Sequence, residues 1–264
     1  AAPRSVPAYG ADFLTLFPGG RNSAMAGAGA AMSGYAASAF YNPAGLAYMK
    51  DNQWGADAAF VHYRHELTPD YGYGEIDNAT GIYNGTTIYN KHGVLTNPTG
   101  GFVGRLPMFG ETVVGFTIYQ PFDQNISWNL YQVPSAYNDS LLAPDNQYGI
   151  NLDVVAFQLT AGREITPDKL ALGVGIQLLR ADLMYDDLKF RPTPMTDTPY
   201  TDAPYWRIPE FISSDGNGWG LGFRLGLLYK MNEKTSLGLT ASLPFSITVK
   251  GDARLGFVMP HIRS

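Results

Sequence analysis

The stretch Arg21–Met49 reads RNSAMAGAGAAMSGYAASAFYNPAGLAYM and differs in character from everything that follows it. After Arg21 it has no charged residue, and most of its positions are Ala, Gly or Ser. A soluble amphipathic helix would instead oppose an apolar stripe with charged residues. Side chains this small let backbones approach closely, so the stretch predicts a compact plug inside a wider structure. Pro43 cannot continue a helix and favours an extended Asn42, which predicts a turn at Asn42-Pro43-Ala44.

The composition around this stretch is that of a membrane protein built from strands. Hydrophobic residues make up 45% of the 264 residues, but charged residues only 16%, whereas soluble domains carry about 25% charged residues. Aromatic residues reach 13%, and there are 30 glycines. A transmembrane β-barrel needs such a mixture, because it combines an apolar outer face, a polar lumen and aromatic girdles.

After residue 52 the alternation of side chains has a period of two, which is typical of β-strands. In Gln53–Arg64, for example, Trp54, Ala56 and Phe60 fall on one face. One strand is interrupted at Gln120-Pro121, because proline is confined to the edges, ends and bulges of sheets. The predicted strands are 53–64, 95–106, 112–131 with this interruption, 147–163, 170–190, 219–230 and 235–249, and the segments 66–93, 133–146 and 191–217 are predicted loops.

The turns of this pattern alternate between two kinds. Short turns fall near residues 109, 167 and 232, and long loops lie between them. Outer-membrane barrels have this asymmetry of short and long connections. However, a barrel in hydrocarbon must close, and bacterial barrels have even strand numbers from about eight upward. The sequence therefore predicts an all-β, antiparallel transmembrane barrel with residues 1–50 as an N-terminal plug and residues 51–264 as the first half, of about seven strands, of a larger barrel.

Other features of the sequence limit the possible location and partners of the protein. It has no uninterrupted apolar run long enough for a transmembrane helix. The start, Ala1-Ala2-Pro3-Arg4, suggests a mature N-terminus left after removal of a signal peptide. A net charge of −5 without a basic run argues against a nucleic-acid partner. The absence of cysteine excludes disulfides and thiolate metal sites.

Catalytic and metal-binding interpretations find little support in the sequence. His62 and His65 point to opposite faces of a strand end and make a poor metal pair. Asp186 and Asp187 are adjacent strand residues, so their carboxylates also point apart. No Ser–His pair lies within a recognisable motif, and no helix follows the glycine-rich segment at residue 216 to bind a phosphate. We predict no enzymatic activity, no metal and no cofactor.

Two segments resemble one known family. The plug AMAGAGAAMSGYAASAFYNPAGLA, with Asn42-Pro43-Ala44, resembles the hatch of the FadL/TodX-type (OMPP1) outer-membrane transporters for fatty acids and hydrophobic compounds. The segment Gly218–Phe257 is similar to the middle of that family in its Gly-Trp-Gly opening, its Glu-Lys-Thr turn and its Lys-Gly-Asp-Ala exit. The resemblance implies a barrel of about 14 strands that the hatch plugs, in the outer membrane of a Gram-negative bacterium.

The resemblance also implies passive uptake of long-chain fatty acids or other hydrophobic compounds, which leave sideways into the membrane lipid at a kink in the third strand. By strand count that kink corresponds to Gln120-Pro121. Small residues at Asn42-Pro43-Ala44 would leave room beside it and form a gate. Either the apolar cluster at residues 13–17 packs on the plug, or it lines a ligand pocket; the candidate pocket residues are Phe13, Leu14, Leu16 and Phe17.

A neighbouring branch offers an alternative function. Phe13-Leu14, followed by Gly20–Met25, is also similar to the opening of PorV-type barrels, which share the fold but act as accessory partners of a protein-secretion apparatus. A structural component of a larger envelope complex is a third possibility. The partner would then be a protein, whereas the transporter interpretation predicts small hydrophobic molecules.

Overall fold

Antiparallel strands account for most of the part of the chain that the computed structural model describes. The described residues are 29–68, 85–91, 93–106, 110–129, 146–192, 207–243 and 245–257. The strands are β1 (Gln53–His62), β2 (Glu66–Leu67), β3 (Ile88–Tyr89), β4 (Val94–Arg105), β5 (Val113–Trp128), β6 (Tyr148–Thr166), β7 (Leu170–Pro192), β8 (Arg207–Asn232), β9 (Thr235–Ser242) and β10 (Thr248–Phe257). Before them lie a short helix α1 (Ser38–Tyr41) and a 3-10 helix (Pro43–Tyr48).

The long strands form one open sheet in the order β1-β4-β5-β6-β7-β8, and both β9 and β10 pair with β8. The partners Arg224↔Ser242 and Trp219↔Thr248 show that β9 and β10 are two halves of one strand that is interrupted between them. Counted in this way, the sheet has the seven long strands that the sequence predicts. The all-β, antiparallel prediction is confirmed, and the arrangement is that of a half-barrel.

The structure corrects the predicted strand boundaries at three places. β8 begins at Arg207, so the predicted loop 191–217 is wrong for its second part. The predicted strand 235–249 is broken after Ser242, next to Pro244 in the sequence, which has no amide hydrogen to give to a ladder. The predicted loop 66–93 contains the small β2–β3 pair.

The two faces of the sheet carry different side chains. On β7 the inner positions are Ala171, Gly173, Gly175 and Gln177, which are buried, and the outer positions are Leu172, Val174, Ile176 and Leu178, which are 44–52% exposed. The outer faces of β8 and β9 continue this surface with Leu221, Leu225 and Leu239. An exposed apolar surface of this extent belongs in lipid. Among the described residues, no helix is long and apolar enough to cross a membrane.

Residues 29–50, here called the inner segment, pack against the inner face of the sheet. Ala39, Leu46 and Met49 form one buried cluster with Val103 and Val113 of the wall. A second cluster joins residues of the 3-10 helix to the wall, namely Ala44 and Ala47 to Ala171 and Leu228. The inner segment is therefore part of the protein core.

Three glycines on neighbouring strands make the floor on which the inner segment sits. Gly162, Gly173 and Gly226 are cross-strand partners in a row over β6, β7 and β8. A Cβ at Gly173 would lie 2.2 Å from the backbone nitrogen of Ala44, and one at Gly162 would lie 2.5 Å from the carbonyl oxygen of Pro43. These contacts are to backbone atoms, so a side chain at any of the three positions would displace the inner segment.

We therefore predict that Gly173→Val lowers the free energy of unfolding by about 1–3 kcal/mol, the usual cost of overpacking. Urea titration of the protein in detergent micelles, followed by circular dichroism, would measure this. Gly256→Ala is the matched control, because a Cβ at Gly256 meets no atom within 4 Å. Equal stability of the two variants would show that the inner segment does not pack closely against Gly173.

Candidate functional site

Asn42 fastens the turn of the inner segment to the sheet. Its side chain is completely buried. The side-chain oxygen Oδ1 accepts from the amide of Ala44 at 3.0 Å and so begins the 3-10 helix. The amide nitrogen Nδ2 donates to the carbonyl oxygens of Ala30 at 2.7 Å and of Leu227, on β8, at 3.0 Å. One asparagine thus joins two parts of the inner segment to the wall.

The carbonyl groups at the end of α1 are bound by side chains of the wall. Such carbonyls have no partner within a helix. Gln158 Nε2 donates to the carbonyl of Ala39, an Arg224 guanidinium nitrogen donates to that of Phe40, and Thr240 Oγ1 donates to that of Tyr41 at 2.8 Å. Because these donors come from β6, β8 and β9, the helix end is held across the breadth of the sheet.

The wall has an opening between β4 and β5. The β4–β5 ladder ends at Gly100↔Ile118, although β4 continues along β1 to Val94 and β5 continues along β6 to Trp128. Within the described parts of these strands, residues 94–99 and 119–124 therefore face each other without pairing. We call this opening the window.

A β-bulge lies on the β5 side of the window. Across the β5–β6 ladder, Tyr119 faces Ala156 and Phe122 faces Val154. Gln120 and Pro121 therefore both stand opposite Val155, and such an extra residue bends a strand and ends its regular pairing. Proline also occurs at position 98, on the β4 side, so each side lacks one amide donor.

A strap closes the window on the side of the long loops. The hydroxyl of Tyr63 donates to the carbonyl of Asn125, and the amide of Lys91 donates to that of Ser127 at 3.1 Å. Burial, and then the nearby Asp123 carboxylate, raise the pKa of Tyr63, so its hydroxyl stays protonated and can donate. The window is thus bounded by the ladder on one side and by the strap on the other.

A cavity of about 270 Å³ lies behind the ladder end of the window. Tyr35, Ala36, Ala37 and Phe40 of the inner segment form one side, and Thr99, Gly101, Thr117 and Tyr119 of the wall form another, with Gln53 and Asp57 from β1. The ring of Phe40 packs edge-on against that of Tyr119, with centroids 4.8 Å apart. Tyr119 immediately precedes the bulge, so the inner segment touches the wall where the window begins.

The structure places the predicted site residues in three different ways. Phe13, Leu14, Leu16 and Phe17 lie outside the described residues. Gln120 and Pro121 form the bulge, which confirms the predicted interruption of this strand. Asn42, Pro43 and Ala44 are buried on the glycine floor of β6–β8 and are not brought next to the bulge.

The residues beside the window are instead Phe40 and Tyr119, which sequence reasoning missed. The proline at position 98 is a partial signal, because proline is confined to the edges, ends and bulges of sheets, but it does not show which strand lies beside it. Metal-binding groups of three or more His, Cys, Asp or Glu residues are not found within the described ranges.

Comparisons with known proteins agree with this geometry. Residues 6–258 match the model of a family described as outer membrane protein transport protein (OMPP1/FadL/TodX). The chain belongs to this family. Comparison with curated proteins finds none that matches.

Solved structures of the FadL/TodX type have a similar fold. They include the P. putida toluene transporter TodX, at 16% identity and a TM-score of 0.61, and the Ralstonia pickettii toluene transporter TbuX, at 21% and 0.58. A Pseudomonas aeruginosa FadL homologue matches at 16% and 0.53. These alignments cover 92%, 90% and 80% of this chain but only 62%, 60% and 48% of the three relatives, in that order. The chain therefore spans about half to three fifths of their length.

The hydrogen bonds of Asn42 generate a prediction about stability. Asn42→Ala removes all three bonds and should lower the free energy of unfolding by about 2–3 kcal/mol. Asn42→Asp keeps the acceptor for Ala44 but turns a carboxylate towards two carbonyl oxygens, so it should destabilise more. Urea titration in micelles would measure both, with the exposed Asn217→Ala as control. An Asp variant as stable as wild type would show that the donor bonds do not matter.

Proposed function

We propose that this chain forms the hatch and part of the wall of an outer-membrane channel for passive uptake of hydrophobic compounds, and that the compounds leave sideways through the window. The inner segment is the hatch. The single observation that carries the proposal is that a cavity against the inner segment lies at one end of an unpaired gap in the wall. Membership of a family of outer membrane transport proteins supports it.

The energetics of such a path favour a sideways exit. An apolar ligand gains roughly 25 cal/mol for each Å² of its surface that leaves water for an apolar site. On the outer face just below the window, an apolar groove of about 470 Å³ is lined by Phe102, Val114, Phe116, Leu159 and Ala161, among others. A ligand that passes the window would thus move from an apolar cavity to an apolar surface in contact with lipid.

The cavity also favours neutral ligands over fatty-acid anions. Its described lining residues include Asp57 but no Lys or Arg. A carboxylate in this cavity would lose its hydration and meet a like charge, and both effects oppose binding. The transport family and the toluene transporters among the solved relatives do not favour the accessory-barrel alternative, and they support a protein without enzymatic activity.

The first test removes the bulge. Deletion of Pro121 leaves one residue of β5 opposite Val155, so the strand can straighten and pair with β4 beyond Ile118. We expect cells carrying this variant to lose most of their uptake of a radiolabelled hydrocarbon, while the protein still inserts into the outer membrane. Pro121→Ala keeps the extra residue and should retain uptake. An inserted deletion variant with wild-type uptake would show that the compound does not leave through the window.

The second test concerns ligand charge. Delipidated full-length protein should retain 4-ethyltoluene but not 4-ethylbenzoate in native mass spectrometry at neutral pH. Asp57→Asn should narrow this difference, because it removes the like charge from the cavity. Preferential retention of the anion by wild-type protein would contradict the assignment of neutral ligands.

A further inference from the structure

Buried polar side chains without a hydrogen-bond partner occur on both sides of the window. Asn97 of β4 is 4% exposed, and neither its amide nitrogen nor its amide oxygen has a partner. Thr117 of β5 is 8% exposed, and its hydroxyl also lacks one. The same holds for the buried Oε1 of Gln124, further along β5. Folded proteins pair nearly all buried polar groups, so each exception needs an explanation.

These three side chains share one face of the wall. Asn97 alternates in phase with the buried Val103 on β4, and Thr117 alternates in phase with the buried Tyr119 on β5. Beyond the bulge, Gln124 is opposite Leu152, in phase with the buried Val154. All three therefore lie at inward-facing positions. Asn97 and Gln124 are on the β4 and β5 sides of the window, and Thr117 is on β5 next to its ladder end. We call them the collar.

Three other buried side-chain atoms in the described chain lack a partner. Two belong to Asn90, in the segment before β4, and to Ser127, whose carbonyl accepts a bond from the strap. The third is the hydroxyl of Tyr48 in the inner segment. The inward-facing unpaired atoms of the sheet are thus those of the collar.

The hydrogen-bonding groups of the collar determine which kind of ligand group could bind there. The amide of Asn97 offers a donor and an acceptor, the hydroxyl of Thr117 can do either, and Gln124 Oε1 accepts. None of the three is charged. Thr117 also lines the cavity, so the collar begins where a ligand of the cavity would lie. A neutral group that both donates and accepts could pair with any one of these side chains.

We propose that the collar binds the hydroxyl, or a similar neutral hydrogen-bonding group, of the transported compound. The preferred ligands are then mainly apolar molecules with one such group, for example alkylphenols, rather than pure hydrocarbons. This inference rests on the proposed function, since it requires that the ligand passes from the cavity to the window. Ordered water in place of the ligand group is the competing occupant, because buried waters also satisfy such groups.

The test uses two ligands of the same shape. 4-Ethylphenol and 4-ethyltoluene differ only in a hydroxyl and a methyl group, and their binding to delipidated full-length protein in micelles can be compared by calorimetry. We expect wild-type protein to bind the phenol about tenfold more tightly. Of Asn97→Leu and Thr117→Val, which nearly conserve shape, the one that removes the partner of the bound hydroxyl should reduce this ratio towards one. Thr96→Val, at an exposed position of β4, should leave it unchanged.

The outcomes separate the inference from the proposed function. The ratio is taken within each variant, so partial loss of folded protein cancels. Equal binding of both compounds by wild-type protein, or a ratio that neither collar substitution alters, would show that the collar holds only water and would overturn the inference. Failure of folded wild-type protein to bind either compound would instead overturn the proposed function.

Discussion

A backbone in hydrocarbon must pair its own amide and carbonyl groups, and the wall of this protein depends on that requirement. The ladders β5–β6, β6–β7 and β7–β8 satisfy it over long stretches. The β4–β5 ladder does not, because it stops at Gly100↔Ile118. The prolines at positions 98 and 121 remove two of the donors that would otherwise be left unpaired.

The position of the gap further reduces the free-energy cost of its unpaired backbone groups. On the outer face beside it, Asp123 and Asp153 are cross-strand partners, and Gln120 Nε2 donates to Asp153 at 2.8 Å. Polar side chains there mark the edge of the lipid-facing surface, where water can reach the unpaired backbone.

The same requirement explains why the inner segment is rich in small residues. An inner segment whose only charged side chain is the exposed Lys50 can be stable only if its own backbone groups find partners in the wall. Close approach brings those groups within reach, and the glycines at positions 162, 173 and 226 permit that approach. Gln158, Arg224 and Thr240 then supply donors for three successive carbonyls. Gln158 is itself part of a buried network, since its Oε1 accepts from the hydroxyl of Tyr119 and from Gln177 Nε2, both at 2.8 Å. Small residues on one side therefore correspond to glycines and polar side chains on the other.

The sequence predicts those features of the fold that leave a local pattern in it, and it does not predict those that depend on contacts between distant residues. Strands such as β1, β4 and β7 could be located because their two faces meet different surroundings, which leaves a period of two in the sequence. The first part of β8 could not be located, because Ser213, Ser214 and Asp215 lie beyond the lipid-facing belt. A strand with polar surroundings on both faces has no alternation to detect.

The bulge could be predicted from Pro121 alone. The window could not, because it depends on which residues of β4 face β5, and pairing between strands is non-local. For the same reason the sequence places the turn Asn42-Pro43-Ala44 beside the bulge, whereas the structure places it against β6–β8.

Residues 42–48 of the inner segment are anchored against β6–β8, here called the seat, whereas the window lies between β4 and β5. This separation indicates how the inner segment could move. Its end at residues 42–48 is held by buried contacts and by the bonds of Asn42. Residues 35–37 face the cavity, and there the amide of Ala36 donates to Gln53 Oε1 at 3.0 Å. Phe40 lies between residues 35–37 and residues 42–48, where its ring touches Tyr119 and its carbonyl accepts from Arg224. The Arg224 guanidinium also lies over the Phe40 ring, 4.7 Å from its centroid. A rigid withdrawal of the whole segment would break all of these interactions together. A pivot about the seat would keep the contacts of residues 42–48. It would break those of Phe40 and the bonds of Ala36 to Gln53 and of Ala39 to Gln158, and it would enlarge the cavity at the end of the window. The distribution of contacts therefore favours a pivot about residues 42–48, in which Phe40 leaves its partners, over displacement of the entire inner segment.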